Sequence, residues 1–293
     1  IANLALTDHD NIEGSKEIIR YNGNGINIYS GVELTIKYKQ GRMHLLGYNF
    51  DVEDENLNKT LQEIKEISIY NVLLYLELLR KDYGIIFPQD EIDTLIKSPG
   101  NIGRPQIAKL LKKYNYCKTI DECFIRYLNP VYDKSRKVKK GISLEEGTDL
   151  IHRAGGITSL AHPNSLKHTH EEFASLMPYF ISAGIDSLET IHPNLTIEER
   201  KFYHEMALKH NLLESGGTDY HGIEIKPDIE LGKGRNCNLI GVDDRTFEKL
   251  SGRKNSHHYY WKSGRKYGGF KPNGKQHSSQ DNHWTTGYHY FFL

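Results

Sequence analysis

Five times along this chain a short apolar run ends on an acid or a histidine. Ile1-Ala2-Asn3-Leu4-Ala5-Leu6 leads into Thr7-Asp8-His9-Asp10, and the run 26–32 leads into Glu33. Ile157-Thr158-Ser159-Leu160 leads into Ala161-His162-Pro163, and the run 185–191 into His192-Pro193. Leu212-Leu213 leads into Gly216-Gly217-Thr218-Asp219-Tyr220-His221-Gly222. Helical patterns lie between the runs. Strands that alternate with helices and carry polar residues at their C-terminal ends predict a parallel α/β barrel with its site on that face. In an extended segment residues i and i+2 share a face, so Asp219 and His221 are expected to aim at one spot. An imidazole and a carboxylate aimed together are ligands for a hard or borderline metal.

Capping residues and periodicity fill in the rest. Asp10 or Asn11 caps a helix to about residue 21, closed by Asn22-Gly23-Asn24-Gly25. Residues 35–38 and 43–48 flank Lys39-Gln40-Gly41-Arg42 as a hairpin, with His44 on its second arm. Leu57, Leu61, Ile64, Ile67, Val72, Leu73, Leu76 and Leu79 recur at three and four, a long amphipathic helix over 54–83 stopped by Gly84. Shorter helices are expected over 89–96, 104–114 and 119–128. A basic link over 129–140 follows, a solvated loop or a rim attracting a polyanion. Ser143 with Glu146 makes a capping box, and helices over 171–183 and 197–210 complete the alternation. The expected division is barrel over 1–53, helical insertion over 54–140 and barrel again over 141–254. Residues 255–293 are rich in His, Tyr, Gly, Lys and Ser and poor in aliphatics. They read as an irregular or disordered tail, or as a stretch foreign to the fold.

Lys and Arg balance Asp and Glu at 38 each. Whole-molecule steering towards nucleic acid or membrane is therefore not indicated. The three cysteines are odd in number and lack a CxxC spacing. That predicts a reducing, cytoplasmic setting without a disulfide scaffold or a thiolate zinc site. Ile1 already lies inside an apolar run and no Met precedes it, so upstream sequence is expected to be missing.

In order, the motifs are Leu4-Ala5-Leu6-Thr7-Asp8-His9-Asp10, Gly31-Val32-Glu33, His44-Leu45-Leu46-Gly47-Tyr48, Gly103-Arg104-Pro105, Gly155-Gly156-Ile157 through Ala161-His162-Pro163, and Gly217-Thr218-Asp219-Tyr220-His221. This series resembles the PHP-domain (polymerase and histidinol phosphatase) metal-dependent phosphoesterases. The likeness points to the branch of nucleotide 3′,5′-bisphosphate phosphatases and 5′-to-3′ exoribonucleases. It implies a distorted seven-stranded α/β barrel, here lacking its first strand, with two to three divalent ions (Mn, Fe or Zn, with Mg possible). By resemblance, Glu33 would bridge two metals and Asp219 would bind the first. His44 and His162 would bind the second, and His9 and His221 the third. Arg104 would hold a substrate phosphate. Asp8, Asp10 and His192 would orient these groups from behind. There are two departures. The family's opening His-x-His strand is absent, so the chain as given is expected to be weakly active. Gln106 stands where a His is usual, and a Gln donates a hydrogen bond but shuttles no proton.

The chemistry suits the residues. Metals neutralise phosphate oxygens and lower the pKa of bound water, so a metal-activated hydroxide is available near neutral pH. The Arg104 fork matches phosphate in a bidentate way. The substrate class implied is a nucleotide or an RNA 5′ end, with no membrane and no obligate protein partner. Two rivals stand beside this: a catalytically impaired PHP-like structural or nucleic-acid-binding domain, and an amidohydrolase-like C–N hydrolase, for which no suitable Lys is evident.

Overall fold

A computed structural model describes residues 3–20, 25–135, 141–223 and 225–235, and the backbone of 290–291. In chain order the larger elements are β1 (Asn3–Leu6), α1 (Glu13–Arg20), β2 (Asn27–Ile36), β3 (Met43–Tyr48), α2 (Glu55–Tyr83), α3 (Gln89–Lys97) and α4 (Arg104–Lys113). Then come α5 (Ile120–Cys123), a π turn (Phe124–Leu128), α6 (Asn129–Ser135), α7 (Leu144–Arg153) and β4 (Ile157–Leu160). A 3-10 turn (Pro163–Leu166), α8 (His170–Ser182), β5 (Ser187–Ile191), α9 (Ile197–Lys209) and β6 (Leu213–Gly216) follow. Short strands β7 (Ile229–Glu230) and β8 (Gly234–Arg235) pair with each other.

Six strands form one sheet in the order β6-β5-β4-β3-β2-β1. The expected parallel arrangement has its exception at the hairpin expected over residues 35–48. β1/β2, β4/β5 and β5/β6 are parallel, but β3 runs antiparallel to both its neighbours. The hairpin explains this: a six-residue connection, 37–42, returns β3 beside β2, and no crossover helix intervenes. The sheet is curled. Strands two apart in a flat sheet lie roughly 9.5 Å from each other. Yet Ser159 Oγ on β4 is 2.7 Å from Ser215 Oγ on β6, and Ser187 Oγ donates to Ser159 Oγ at 2.7 Å. Only a concave inner face brings those three hydroxyls together. Of residues 255–293 only Tyr290–Phe291 is described, a two-residue strand antiparallel to β1; the remainder of that tail lies outside the described residues.

Helices cover the outside of the curl. Val32, Leu34, Ile36 and Leu45 from the sheet pack with Ile151, Phe173, Phe180 and Tyr203 from the helices. The 29-residue α2 is a strut between two cores. Its first turns supply Leu57 and Leu61 to the sheet core. Its last turns supply Val72, Tyr75, Leu76 and Leu79 to a second core with Phe87, Ile107, Leu111 and Leu128. Asp54 starts the helix by accepting the Leu57 N–H, and left-handed Gly84 ends it.

Three local expectations are corrected. The helix over 119–128 is α5 followed by the π turn, and the chain continues helically through α6. The link over 129–140 is therefore not a loop at its start, and residues 136–140 lie outside the described residues. Cys117 and Cys123 form a disulfide with Cα atoms 5.7 Å apart. The turn between α4 and α5 brings them together across six positions, a spacing that a CxxC rule does not register. Among the described residues no helix is long and apolar enough to cross a membrane.

Candidate metal centre

The pairing of β1 with β2 does not stop at Leu6. Glu33 N–H donates to Asp8 O (3.0 Å) and Asp10 N–H to Glu33 O (2.9 Å), which sets His9 directly beside Glu33. Asp10 has a left-handed φ of 49°, and its carboxylate accepts the Thr35 N–H (2.7 Å) and hydroxyl (2.8 Å). It therefore fixes the turn that carries His9. Asn11, not Asp10, caps α1 by accepting the Glu13 N–H.

Across the hairpin Glu33 faces Leu46, and His44 faces Thr35. His44 is thus the diagonal neighbour of Glu33 on the same face, within reach of a long side chain. His162 lies just past β4, where Ala161 N–H still donates to His44 O. The result is a tight cluster on a buried carboxylate. His44 Nδ1 is 2.6 Å and His162 Nε2 3.0 Å from Glu33 Oε1, and the two nitrogens are 3.2 Å apart. His9 Nδ1 lies 3.6 Å from the other oxygen, Oε2.

Asp219 and His221 complete the rim. Gly217 N–H donates to Ile191 O, carrying the β5/β6 pairing forward. The extended geometry expected of this pair is corrected: Asp219 has φ 50°. The two side chains still converge, because His221 Nδ1 folds back 2.8 Å from Asp219 O and 3.3 Å from its Oδ1. A carbonyl only accepts, so Nδ1 carries the proton and His221 Nε2 keeps its lone pair. The rings of His9 and His221 are 6.3 Å apart, and those of His9 and His44 4.6 Å. His192 is buried; its Nδ1 accepts the Asn194 N–H, which leaves an Nε2 proton 3.4 Å from Asp219 Oδ2.

Three residues here were not anticipated. Glu189, fully buried on β5, accepts the His162 backbone N–H at 2.5 Å. Ser165 accepts from the His162 ring, and Lys226 donates to the Asp219 carboxylate. An acid inside the apolar run Leu188-Glu189-Thr190-Ile191 was a readable signal; Lys226, in a loop after Gly222, had none. Arg104 and Gln106 make contacts within the insertion. The Arg104 guanidinium lies over Tyr132 (4.2 Å) and Phe124 (5.5 Å) within the insertion. The Gln106 Oε1 is occupied by the Gly103 N–H (2.9 Å), capping α4.

Charge follows from this geometry. Burial alone would raise the Glu33 carboxyl, but His9 and His44, with hydrogen bonds from His162 and His44, hold it well below the usual range. Burial likewise opposes a charged Asp219, yet His192, His221 and Lys226 keep it well below. Burial takes His9 down to about 4 and lowers His221. His162 goes the other way: burial is outweighed by the hydrogen bond and charge of Glu33, which raise it to about 9. Burial raises Glu189.

The donor set fits a metal. Bonds of about 2.0–2.1 Å from nitrogen or oxygen put neighbouring ligand atoms of a tetrahedral site about 3.3 Å apart. The spacings on Glu33 are close to that. His9, Glu33 and His44 each offer a ligand atom, all within 4.8 Å of one another. Among the described residues Glu33 Oε2 is buried without a hydrogen-bond partner, an arrangement that a cation would relieve.

No family model matches the chain. Three known proteins are similar to most of it. The 5′-3′ exoribonuclease Rnm of Salmonella typhimurium is 27% identical over 237 residues, 80% of this chain and 79% of the relative. The 3′,5′-nucleoside bisphosphate phosphatase of Chromobacterium violaceum is 27% identical over 220 residues, 74% and 76% of the two chains. A solved structure from Bifidobacterium adolescentis, assigned to the metal-dependent phosphoesterases, superimposes with a TM-score of 0.71 at 25% identity, covering 85% of each chain. The chain fits a phosphoesterase of the PHP type. The curled six-strand sheet with its outer helices is consistent with that barrel, and the likeness implies divalent metals.

Proposed function

We propose that this protein hydrolyses phosphate esters of nucleotides or of RNA 5′ ends at a centre of two to three divalent ions. The single observation that carries the reading is the convergence of His44 and His162 on one oxygen of Glu33, with the other oxygen left unsatisfied beside His9. We read Glu33 as the bridging ligand, His44 and His162 as ligands of one ion, Asp219 of a second, and His9 and His221 of a third. Manganese, iron or zinc suits this mixed imidazole and carboxylate set. Such ions would supply charge neutralisation on the phosphate and an acidified water.

The chain's own residues do the rest. Asp10 and Glu189 fix the backbone that carries His9 and His162. Arg104, at the start of α4, is read as the holder of a substrate phosphate, aided by the partial positive charge of that helix terminus. Asp8 and His192 orient the ligands. We also read the sheet as six strands of the seven-stranded barrel that the resemblance implies.

Neither rival is better supported. An amidohydrolase reading places a carbamylated lysine between the metals. In the present reading Glu33 takes that role, and Lys226 is engaged with the Asp219 carboxylate. A binding-only domain has no use for a buried, unsatisfied carboxylate oxygen. The test is phosphate or nucleotide release from a nucleotide 3′,5′-bisphosphate and from a 5′-phosphorylated RNA, with and without manganese. Manganese-dependent release is expected. Metal bound at stoichiometry without release from either would reject the reading.

A further inference from the structure

The turn after β4 is clamped by a part of the chain far away in sequence. The tip of the β2–β3 hairpin lies directly on residues 165–167. Arg42 N–H donates to Ser165 O (2.9 Å), and the Ser165 hydroxyl donates back to Arg42 O (2.7 Å). Gln40 Nε2 donates to Lys167 O at 2.6 Å. Gly41 makes the approach possible: it has φ +63°, and a Cβ there would sit 2.3 Å from Ser165 O.

The clamp decides where a proton sits. A carbonyl oxygen carries no hydrogen, so the single Ser165 hydroxyl proton is committed to Arg42 O. Only lone pairs of Ser165 Oγ remain to face His162 Nδ1, at 2.8 Å. That nitrogen must therefore be the donor. His162 Nε2, on the other side of the ring, is the atom turned to Glu33 and His44. The His162 backbone is pinned as well. Its φ of 26° is unusual for a non-glycine, and Glu189 holds its N–H.

We propose that Ser165, held by the hairpin tip, is a positioning residue that fixes His162 as the Nδ1–H tautomer and so presents the Nε2 lone pair to the metal centre. The hydroxyl thereby does for His162 what the Asp219 carbonyl does for His221. This rests on the reading of His162 as a metal ligand. Partners of this kind orient ligating imidazoles, and removing one typically costs about 10–100-fold in metal affinity.

Manganese binding by electron paramagnetic resonance titration, on the full chain, tests it. Ser165→Ala is expected to weaken one class of site by about 10–100-fold and leave the others alone. Ser165→Thr, which keeps the hydroxyl, is expected to restore affinity. At saturating manganese kcat should return to near the parent value, because the expected defect is in metal affinity. A second measurement needs no substitution at Ser165. In zinc-loaded, 15N-histidine-labelled protein, with His162 assigned by its loss in His162→Gln, the proton should be on Nδ1 and the metal on Nε2. Metal on Nδ1, or Ser165→Ala binding manganese within twofold of the parent, would overturn the proposal while leaving the metal centre standing. A parent that binds no manganese would instead remove the reading of the site itself, and this proposal with it.

Discussion

Two histidine–acid clusters sit at opposite ends of the same strands, and only one of them is finished. At the N-terminal ends of β4 and β5, His152 Nε2 meets Asp186 Oδ2 at 2.7 Å. That oxygen also takes the Thr158 N–H (2.9 Å) and hydroxyl (3.0 Å). His152 Nε2, Asp186 Oδ2 and the Thr158 groups are all paired within the chain, and the cluster is only part-buried. At the C-terminal ends the cluster is larger and more deeply buried, yet Glu33 Oε2 and Glu189 Oε1 have no hydrogen-bond partner. Residue types are the same at both ends. What separates a structural pair from a site is whether the protein completes its own hydrogen bonds, because a buried unpaired carboxylate oxygen is costly unless something else supplies the charge.

The largest expected effect is at the unfinished end. Glu33→Gln removes the charge on which His44 and His162 converge and should reduce manganese affinity by more than about 100-fold, beyond what loss of an orienting partner costs. Phosphate release should fall with it. Thermal melting in chelator should stay near the parent. If Glu33→Gln binds manganese as the parent does, the two ends do not differ in the way argued.

Metal removal comes next. A ligand at 100 times its dissociation constant stabilises by about 2.7 kcal/mol. In a chain this size that corresponds to roughly 5–10 °C between chelated and manganese-loaded protein. His152→Ala should show the same difference between the two conditions, since its cluster is already complete. Should His152→Ala abolish the manganese-dependent shift, the far end would be part of the site.

His152→Ala itself should cost about 1.5–3 kcal/mol, the range for hydrogen bonds to a charged group, with manganese affinity unchanged. Its pH dependence has a definite sign. The hydrogen bond that His152 donates to Asp186 raises His152 above its ordinary 6.5, so its contribution is complete below 6.5 and fades as pH climbs through the raised value. Asp186 is opposite: burial notwithstanding, His152 and Thr158 lower it below 3.8, so its contribution is complete above 3.8 and is lost as pH falls through the lowered value. Denaturant melts should therefore separate parent and variant most between those limits. A gap that widens above neutrality contradicts the assignment.

Much of the unfinished end was legible because its signal is local. His9, Glu33, His162 and Asp219 each follow an apolar run, and a strand end is where a parallel sheet puts its chemistry. His44 was placed by the hairpin pattern. The antiparallel β3 was legible in that same hairpin pattern. Glu189 left a readable signal, an acid inside an apolar run, but it sits within a strand and not at the strand end where the site was sought. Ser165 and Lys226 were hidden because their roles come from backbone approaches, Gly41 onto residue 165 and the loop after Gly222 onto Asp219, that no periodicity encodes. The left-handed φ of Asp219 shows the same limit: the convergence with His221 was expected, but from the wrong backbone.

The smallest expected effect on the metal centre is from Arg104→Ala, which asks whether the insertion belongs to the site at all. The Arg104 contacts are rings of the insertion, Tyr132 and Phe124, with Asn129 at 3.5 Å. An exposed cation over aromatic faces contributes only about 0.5–1 kcal/mol, so melting should move little. Manganese affinity should not change, because these contacts of Arg104 are with the insertion and not with the six candidate ligands. KM for a phosphorylated substrate, by contrast, should rise, since a guanidinium pairs with phosphate by charge-assisted hydrogen bonds that alanine cannot replace. Arg104→Lys should recover part of it, keeping charge but not the fork. If KM is unmoved in Arg104→Ala, the insertion's arginine is a packing element, and phosphate must be held from the sheet side alone.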